Sequence, residues 1–168
     1  MRLFSSLIKA VETFRNEFNT PESFKIGQKF EEYVREYLFT DKYFDLIERT
    51  HDYNTNSRDY VESSLKPDFT FRDKRSRHEF YVEAKFRSSF YKGKINWCNE
   101  NQLQRYRYYN EERPVFLILG MGDDPKYPEF LSLMPLDAIK YTSLYLSFAE
   151  QFEIRIDQSI SSNKLWER

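Results

Sequence analysis

The sequence is poor in cysteine, glycine, proline and histidine, and each scarcity excludes something. One cysteine in 168 residues rules out an intrachain disulfide framework, and Cys98 alone does not make a zinc quartet. Four glycines and six prolines leave little room for long flexible linkers. The two histidines, His51 and His78, form no recognisable metal pair or catalytic dyad, so ordinary hydrogen-bonding roles are expected for both.

Long apolar runs are also missing. The longest, Val115 to Leu119, has the length of a buried strand and not of a transmembrane helix. The mean hydropathy of -0.78 agrees with this. Near the N-terminus, Lys9 and Glu12 interrupt the apolar residues, so the segment does not resemble a signal peptide. The sequence therefore predicts a soluble, cytoplasmic protein with no membrane partner.

Aromatic and charged residues are abundant instead. Aromatic residues make up 18% of the chain and charged residues 32%. The aromatic content argues against disorder, because it provides apolar surface that a folded core can bury. A chain of this length folds as one domain and buries roughly two-thirds of its extended-chain surface. We therefore predict a single domain over residues 1–168.

The net charge of -1 hides an uneven distribution of charged residues. Between Arg72 and Arg107 there are ten Lys and Arg against four acids, so this segment carries about +6 and the rest about -7. A basic segment of this kind provides a phosphate-binding face without making the whole protein basic. A set of solvated turns and helix faces is the alternative explanation.

Hydrophobic periodicity predicts alternating helices and strands. Thr20 and Pro21 are typical of an N-cap and a first helical turn. The predicted helices cover about 1–18, 21–39, 99–110 and 135–152. The predicted strands cover about 43–53, 68–72, 79–87, 115–119 and 130–134, and 54–64 is either a loop or an unrecognised helix. This order predicts an α/β fold with additional helices at both ends.

Two acids and a lysine are expected at one end of a hairpin made by 68–72 and 79–87. Alternation puts Glu83 and Lys85 on the same face of the second strand, and pairing through the 73–78 turn brings Asp68 beside them. Phosphodiester hydrolysis uses this combination. Carboxylates bind a divalent metal, the metal activates water and neutralises phosphate charge, and an ammonium group stabilises the transition state.

Glu31 is a further candidate for the same site. It lies seven residues before Leu38, about twenty degrees from eclipsed on a helix, so it borders the apolar stripe of the 21–39 helix. A glutamate at a core boundary needs a partner, which a metal site would supply. The alternative is a glutamate that reaches into solvent or stabilises the first helical turn.

Together, these patterns resemble the PD-(D/E)XK nuclease superfamily, which has the restriction-endonuclease-like fold. The matching motifs are Pro67-Asp68, Glu83-Ala84-Lys85, Gly27-x-x-Phe30-Glu31-x-x-Val34 and Gln102-x-x-x-Tyr106. The last motif is similar to the Q-x-x-x-Y helix of the exonuclease-like and RecB-like branches. The resemblance covers about residues 22–120 and implies an α-β-β-β-α-β core with a central mixed sheet flanked by helices.

The resemblance also implies roles for the matched residues and a Mg²⁺ cofactor, with Mn²⁺ as a substitute. Asp68 would bridge the metal, and Glu31 would complete the site directly or through water. Lys85 would position the nucleophilic water, while Gln102, with Tyr106 behind it, would orient Lys85 or a phosphate. The implied metal ligands are Glu31, Asp68, Glu83 and the backbone carbonyl of Ala84. The implied catalytic residues are Glu31, Asp68, Glu83, Lys85 and Gln102.

The expected activity is hydrolysis of DNA. Segment 87–97 interleaves basic and aromatic residues, which suits phosphates and unstacked bases, or else a loop that its aromatic side chains anchor in the core. The expected nucleic-acid contacts are Arg87, Lys92, Lys94, Arg105 and Tyr106.

The sequence leaves open a catalytically inactive binding or interaction module of the same fold, and an RNA-directed nuclease. Cutting both strands at once takes two sites, so a homodimer is compatible with this prediction.

Overall fold

The structure, a computed structural model, describes residues 21–50 and 66–167. The predicted helix over 1–18 and the segment 54–64 lie outside the described residues. The strands are β1 Phe44–Arg49, β2 Phe69–Asp73, β3 Glu79–Arg87, β4 Ile95–Asn96, β5 Val115–Met121, β6 Phe130–Pro135 and β7 Ser143–Leu144. The helices are α1 Pro21–Tyr33, continued by a π-helical turn Val34–Leu38, then α2 Glu100–Glu112, α3 Leu146–Glu150 and α4 Ser162–Trp166.

Five strands form one mixed sheet in the order β1-β2-β3-β5-β6. Strands β3 and β5 are parallel and are joined by a crossover that contains α2, whereas the other neighbours in this sheet are antiparallel. The order α1, β1, β2, β3, α2, β5 confirms the predicted core. None of the helices in the described part of the chain is long and apolar enough to span a membrane.

The sheet is the middle layer between two hydrophobic cores. Alternation along β3 sends Phe80 and Val82 into the core beneath α1, and sends Tyr81 into the core beneath α2. The first core is rich in phenylalanine, and the second contains the buried side chains of Trp97 and Leu103. Both faces of the sheet are therefore covered, and polar side chains on it need specific partners.

Helix α1 packs on the sheet through a close contact between Phe30 and Gly120. A Cβ atom at position 120 would lie 2.5 Å from two ring carbons of Phe30. The same ring packs against Phe86 with a centroid separation of 5.4 Å. Because Gly120 and Phe86 lie near the ends of the parallel strands β5 and β3, this contact fixes the turn of α1 that carries Glu31 above that end of the sheet.

Helix α2 begins with a capping box at Asn99. The Asn99 side chain accepts a hydrogen bond from the Gln102 backbone N–H at 2.8 Å, and the Gln102 side chain accepts one from the Asn99 N–H at 3.1 Å. These bonds satisfy two backbone donors at the start of the helix. The predicted start of this helix near Asn99 is confirmed.

The predicted helix over 135–152 is wrong. The segment forms a single 3-10 turn, Leu136–Ala138, then β7, and only then the short α3. β7 pairs with β4, and the carbonyl groups of Tyr141 and Thr142 accept hydrogen bonds from Trp97 at 2.9 and 3.0 Å. Residues 139–145 are rich in β-branched and aromatic side chains, so their weak helix propensity gives way to these long-range pairings.

A buried carboxylate, Asp73, fastens α4 to the turn between β2 and β3. It accepts hydrogen bonds from backbone and side-chain donors of Ser76, from the Ser162 hydroxyl, and from Trp166 Nε1 at 3.0 Å. Burial alone would raise the pKa of Asp73, but the hydrogen bonds from Ser162 and Ser76 outweigh it and lower the pKa to about 2. The carboxylate therefore stays ionised and keeps α4 bound to the hairpin turn.

Candidate active site

Asp68 and Glu83 lie opposite each other at the open end of the β2–β3 hairpin. Phe69 pairs with Val82, so the antiparallel register places the preceding residue, Asp68, across from Glu83. The backbone N–H of Asp68 donates to Glu83 Oε2 at 3.1 Å, and the backbone N–H of Ala84 donates to Asp68 Oδ2 at 2.8 Å. These reciprocal bonds fix both carboxylates relative to each other.

Lys85 and Tyr106 contact the other oxygen of Glu83. Lys85 Nζ lies 2.9 Å from Glu83 Oε1, in an ion pair whose side chains are 17% and 6% exposed. The Tyr106 hydroxyl, from α2, donates to the same oxygen at 2.7 Å. The Tyr106 ring stacks on Trp97 with centroids 5.7 Å apart. Glu83 is therefore positioned by contacts from both hairpin strands and from α2.

Glu31 of α1 lies within electrostatic range of this cluster and is paired with Arg49. Arg49 Nη2 lies 3.3 Å from Glu31 Oε2, and its guanidinium lies over the Phe69 ring, 5.6 Å from the centroid. Sequence reasoning missed Arg49, because its place here depends on the pairing of β1 with β2, which puts Arg49 opposite Phe69. Its position at the end of the strand before the Pro67-Asp68 motif was an available signal.

The crowding of the carboxyl groups changes their pKa values. Burial, followed by repulsion from Glu83 and Glu31, raises the pKa of Asp68 well above its usual range. Burial and then repulsion from Glu83 raise the pKa of Glu31 to about 7, although Arg49 and Lys85 act in the opposite direction. For Lys85, burial would lower the pKa, but attraction to Glu83 and Asp68 outweighs it and the pKa is raised. Lys85 is therefore a cation at neutral pH.

A divalent cation fits this set of donors. Asp68, Glu83 and Glu31 are close enough to repel one another when ionised, and a divalent ion would relieve the repulsion that, with burial, raises the pKa of Asp68. Among the described residues, no three His, Cys, Asp or Glu side chains form a ready-made metal cage. Mg²⁺ is commonly bound by only one or two carboxylates, with phosphate and water oxygens filling the other positions. Asp68 and Glu83 are sufficient in number for this, and the ligand roles of Asp68, Glu83, Glu31 and the Ala84 carbonyl stay predictions.

Three of the predicted functional residues have partners within the fold. The Gln102 side-chain oxygen is part of the cap of α2, and no described contact joins it to Lys85. Arg87 donates from Nε and Nη2 to the carbonyl groups of Asn96 and Trp97, at 2.7 and 2.8 Å. Tyr106 is buried against Glu83. These contacts hold the three side chains within the fold, and the roles predicted for Gln102 in catalysis and for Arg87 and Tyr106 in nucleic-acid binding stay predictions.

The basic segment 72–107 does not form one continuous face. Three of its cations lie at the turn end of the hairpin and pair with Asp45 at 3.7 to 3.8 Å: Arg72, Lys74 and Arg77. Lys92 and Lys94 instead follow β3 at the end that carries Lys85. Arg105 Nε is buried and has no hydrogen-bond partner within the described part of the chain. The cations available for phosphate contact near the site are therefore fewer than the segment's charge suggests.

The mixed sheet between helical layers has the architecture of the restriction-endonuclease-like fold. No protein-family model matches this chain, and no curated protein matches its sequence. Its structure is similar to Hjc, a Holliday junction resolvase from the archaeal hyperthermophile Archaeoglobus fulgidus, with a TM-score of 0.52 and 14% sequence identity. The match covers 77% of this chain and 91% of that chain. At this identity, the likeness establishes the fold.

Proposed function

We propose that this chain is a metal-dependent nuclease of the PD-(D/E)XK type that hydrolyses DNA phosphodiester bonds with metal-activated water. The observation that carries the proposal is the cluster of Asp68, Glu83 and Lys85 at the open end of the hairpin, which two hydrogen bonds and an ion pair hold together. The similarity to a resolvase, a protein that acts on DNA, favours DNA as the substrate. The cytoplasmic location and the homodimer stay predictions.

The residues of the site divide the chemical work. Mg²⁺ bound by Asp68 and Glu83 would lower the pKa of a water molecule and neutralise charge on the scissile phosphate. Lys85, which is protonated, orients the attacking water and stabilises negative charge in the transition state. Tyr106 and the Asp68 N–H hold the Glu83 carboxylate in place, so that little reorganisation is needed during the reaction.

The first prediction separates catalysis from binding. Lys85→Ala should reduce cleavage by at least about 100-fold while leaving DNA affinity nearly unchanged, because the ammonium acts mainly in the transition state. Asp68→Asn should also stop cleavage, by weakening metal binding, and excess Mg²⁺ or Mn²⁺ should restore part of the activity. The measurement is nicking and degradation of plasmid, linear duplex and single-stranded DNA, with and without metal.

Lys74→Ala is the matched control, because this lysine lies at the opposite end of the hairpin, beside Asp45. It should cleave like the wild type. A wild-type protein that binds DNA but cuts no strand form with either metal would contradict the nuclease and favour the binding module. Cleavage of RNA with no cleavage of DNA would identify the RNA-directed nuclease instead.

A further inference from the structure

The chain that follows β3 forms a short hairpin, residues 88–94, which the proposed chemistry does not use. The backbone N–H of Tyr91 donates to the Lys94 carbonyl at 2.8 Å, and the N–H of Lys94 donates to the Tyr91 carbonyl at 3.0 Å. The two residues between them, Lys92 and Gly93, have positive φ angles of 51° and 75°. Positive φ at both central residues is the geometry of a type I′ turn, which suits a tight two-residue hairpin.

The base of the 88–94 hairpin is tied to the body of the protein. Arg87, just before it, binds the carbonyl groups of Asn96 and Trp97. Just after it, Ile95 pairs with Leu144 in the β4–β7 ladder, and both Ile95 and Trp97 are fully buried. The hairpin therefore projects from a fixed base, only three residues beyond Lys85.

The tip of the hairpin exposes aromatic rings together with lysines. Phe90 is 50% exposed and Tyr91 is 65% exposed, in contrast to the buried Trp97 that anchors the base. Lys92 Nζ lies 5.4 Å from the centre of the Tyr91 ring. Lys94 Nζ lies 4.8 Å from the centre of the Tyr145 ring, which is 59% exposed. The grouping of three exposed rings with two lysines is typical of a surface that binds a ligand.

The charge around these rings identifies the kind of ligand. No acidic residue occurs between Glu83 and Glu100, and neither Lys92 nor Lys94 forms an ion pair with a carboxylate of the described residues. A patch of this composition attracts phosphates and offers ring faces to flat heterocycles. The bases of a duplex are stacked and unavailable to such rings, whereas unpaired bases stack readily on aromatic side chains.

We propose that the 88–94 hairpin, together with Tyr145, binds unpaired nucleotides of the DNA substrate next to the active site. Phe90, Tyr91 and Tyr145 stack against the bases, and Lys92 and Lys94 contact the phosphates. The inference rests on the proposed nuclease function and specifies its substrate class: DNA with a single-stranded segment beside the bond to be cut.

The test measures binding in metal-free buffer, where cleavage does not interfere. The probes are a fluorescein-labelled single-stranded DNA and the matching duplex. The length of about 20 nucleotides is a little longer than the site size of common single-strand binding modules. Phe90→Ala and Tyr91→Ala should each weaken single-strand binding about 10-fold and leave duplex binding almost unchanged, since a stacked ring contributes to unpaired bases only. Tyr91→Phe should keep wild-type affinity, because it keeps the ring.

Tyr108→Ala is the matched control, an exposed tyrosine on α2 with no place in the hairpin. A second readout is the fluorescence of 2-aminopurine placed in the single strand, which should be quenched on binding to the wild type and to Tyr91→Phe but not to Tyr91→Ala. A single-stranded RNA of the same sequence tests whether the sugar is read. Equal quenching there still supports a surface for unpaired bases.

Two results overturn the inference: single-strand affinity that Tyr91→Ala leaves unchanged, or an equal loss of affinity for single strand and duplex. These outcomes are separate from the test of the nuclease. Single-strand binding that depends on Tyr91 without any cleavage would contradict the nuclease and keep the binding surface. Cleavage by a protein whose single-strand affinity does not depend on Tyr91 would keep the nuclease and contradict the binding surface.

Discussion

At the scale of single residues, Tyr106 is the point where α2 meets the carboxylates. Its hydroxyl donates to Glu83, and its ring stacks on Trp97. Tyr106→Phe keeps the stacking and removes the hydrogen bond to a buried carboxylate. We expect a loss of about 1.5–3 kcal/mol in the free energy of unfolding, the usual contribution of a hydrogen bond to a charged group, and slower cleavage.

Urea unfolding and a plasmid-nicking assay measure the two effects of Tyr106→Phe. Tyr108→Phe, in the exposed neighbouring tyrosine, should change neither. A Tyr106→Phe protein as stable and as active as the wild type would show that Lys85 and the Asp68 N–H are sufficient to position Glu83.

Glu31 gives the site a pH dependence. Its pKa is raised from an ordinary value of 4.5 to about 7, so between these values the folded protein retains a proton that the unfolded chain releases. The stability that this protonation contributes is complete below pH 4.5 and is lost as the pH rises through about 7. Asp68 acts in the same direction, because its pKa is also raised.

A divalent ion should replace these protons. The increase in melting temperature caused by Mg²⁺ should therefore be larger at pH 8 than at pH 6. Glu31→Gln should bring the increases at the two pH values closer together. Thermal unfolding with Mg²⁺ and with a chelator, at both pH values, measures this. An equal Mg²⁺ shift at both pH values would show that the ion does not bind next to these carboxylates.

At the scale of secondary-structure elements, a substitution at Gly120 tests the close packing of α1 on the sheet. Gly120→Ala places a methyl group 2.5 Å from the Phe30 ring, so the ring or α1 must move. We expect a loss of about 1–3 kcal/mol in the free energy of unfolding from overpacking, and reduced cleavage because Glu31 moves with the helix. Gly27→Ala is the control: nothing lies within 4 Å of its added Cβ, so it should be neutral or stabilise α1 by up to about 1 kcal/mol. Chemical denaturation of Gly120→Ala and Gly27→Ala measures both free energies of unfolding. Equal stability of the two variants would contradict the close contact between Phe30 and Gly120.

The elements also show what local patterns in a sequence reveal. Strand alternation placed Glu83 and Lys85 on one face of β3, and the hairpin register brought Asp68 opposite Glu83, as the short turn between β2 and β3 led us to expect. The segment after β6 forms no continuous helix, although the sequence predicts one over 135–152. Its real partner, β4, is more than forty residues away in the sequence, and single-sequence periodicity carries no information on such pairings.

At the scale of the whole molecule, hydrophobic periodicity also fails to predict contacts between side chains of different elements, which is why Arg49 was missed and why the partners of Arg87 were not expected. The order of the core elements follows from periodicity and caps, so the fold was predictable. Arg49 reaches Glu31 only through the pairing of β1 with β2. Arg87 donates to the carbonyl groups of Asn96 and Trp97 across the 88–94 hairpin, and hydrophobic periodicity does not predict such contacts. The net charge of segment 72–107 was likewise misleading, since one hairpin carries cations at both of its ends.

The contacts of Glu83 also set an order of assembly. Its bond to the Asp68 N–H closes within a hairpin, over 15 residues of chain, whereas the bond from Tyr106 requires α2 to dock on the sheet. Local loops close faster than crossover connections, because less chain entropy is lost before the first contacts form. We therefore expect the acidic pair to meet first during folding, and Tyr106 to join it when α2 docks. In the proposed nuclease, Glu83 would therefore reach its full set of contacts only after α2 has docked on the sheet.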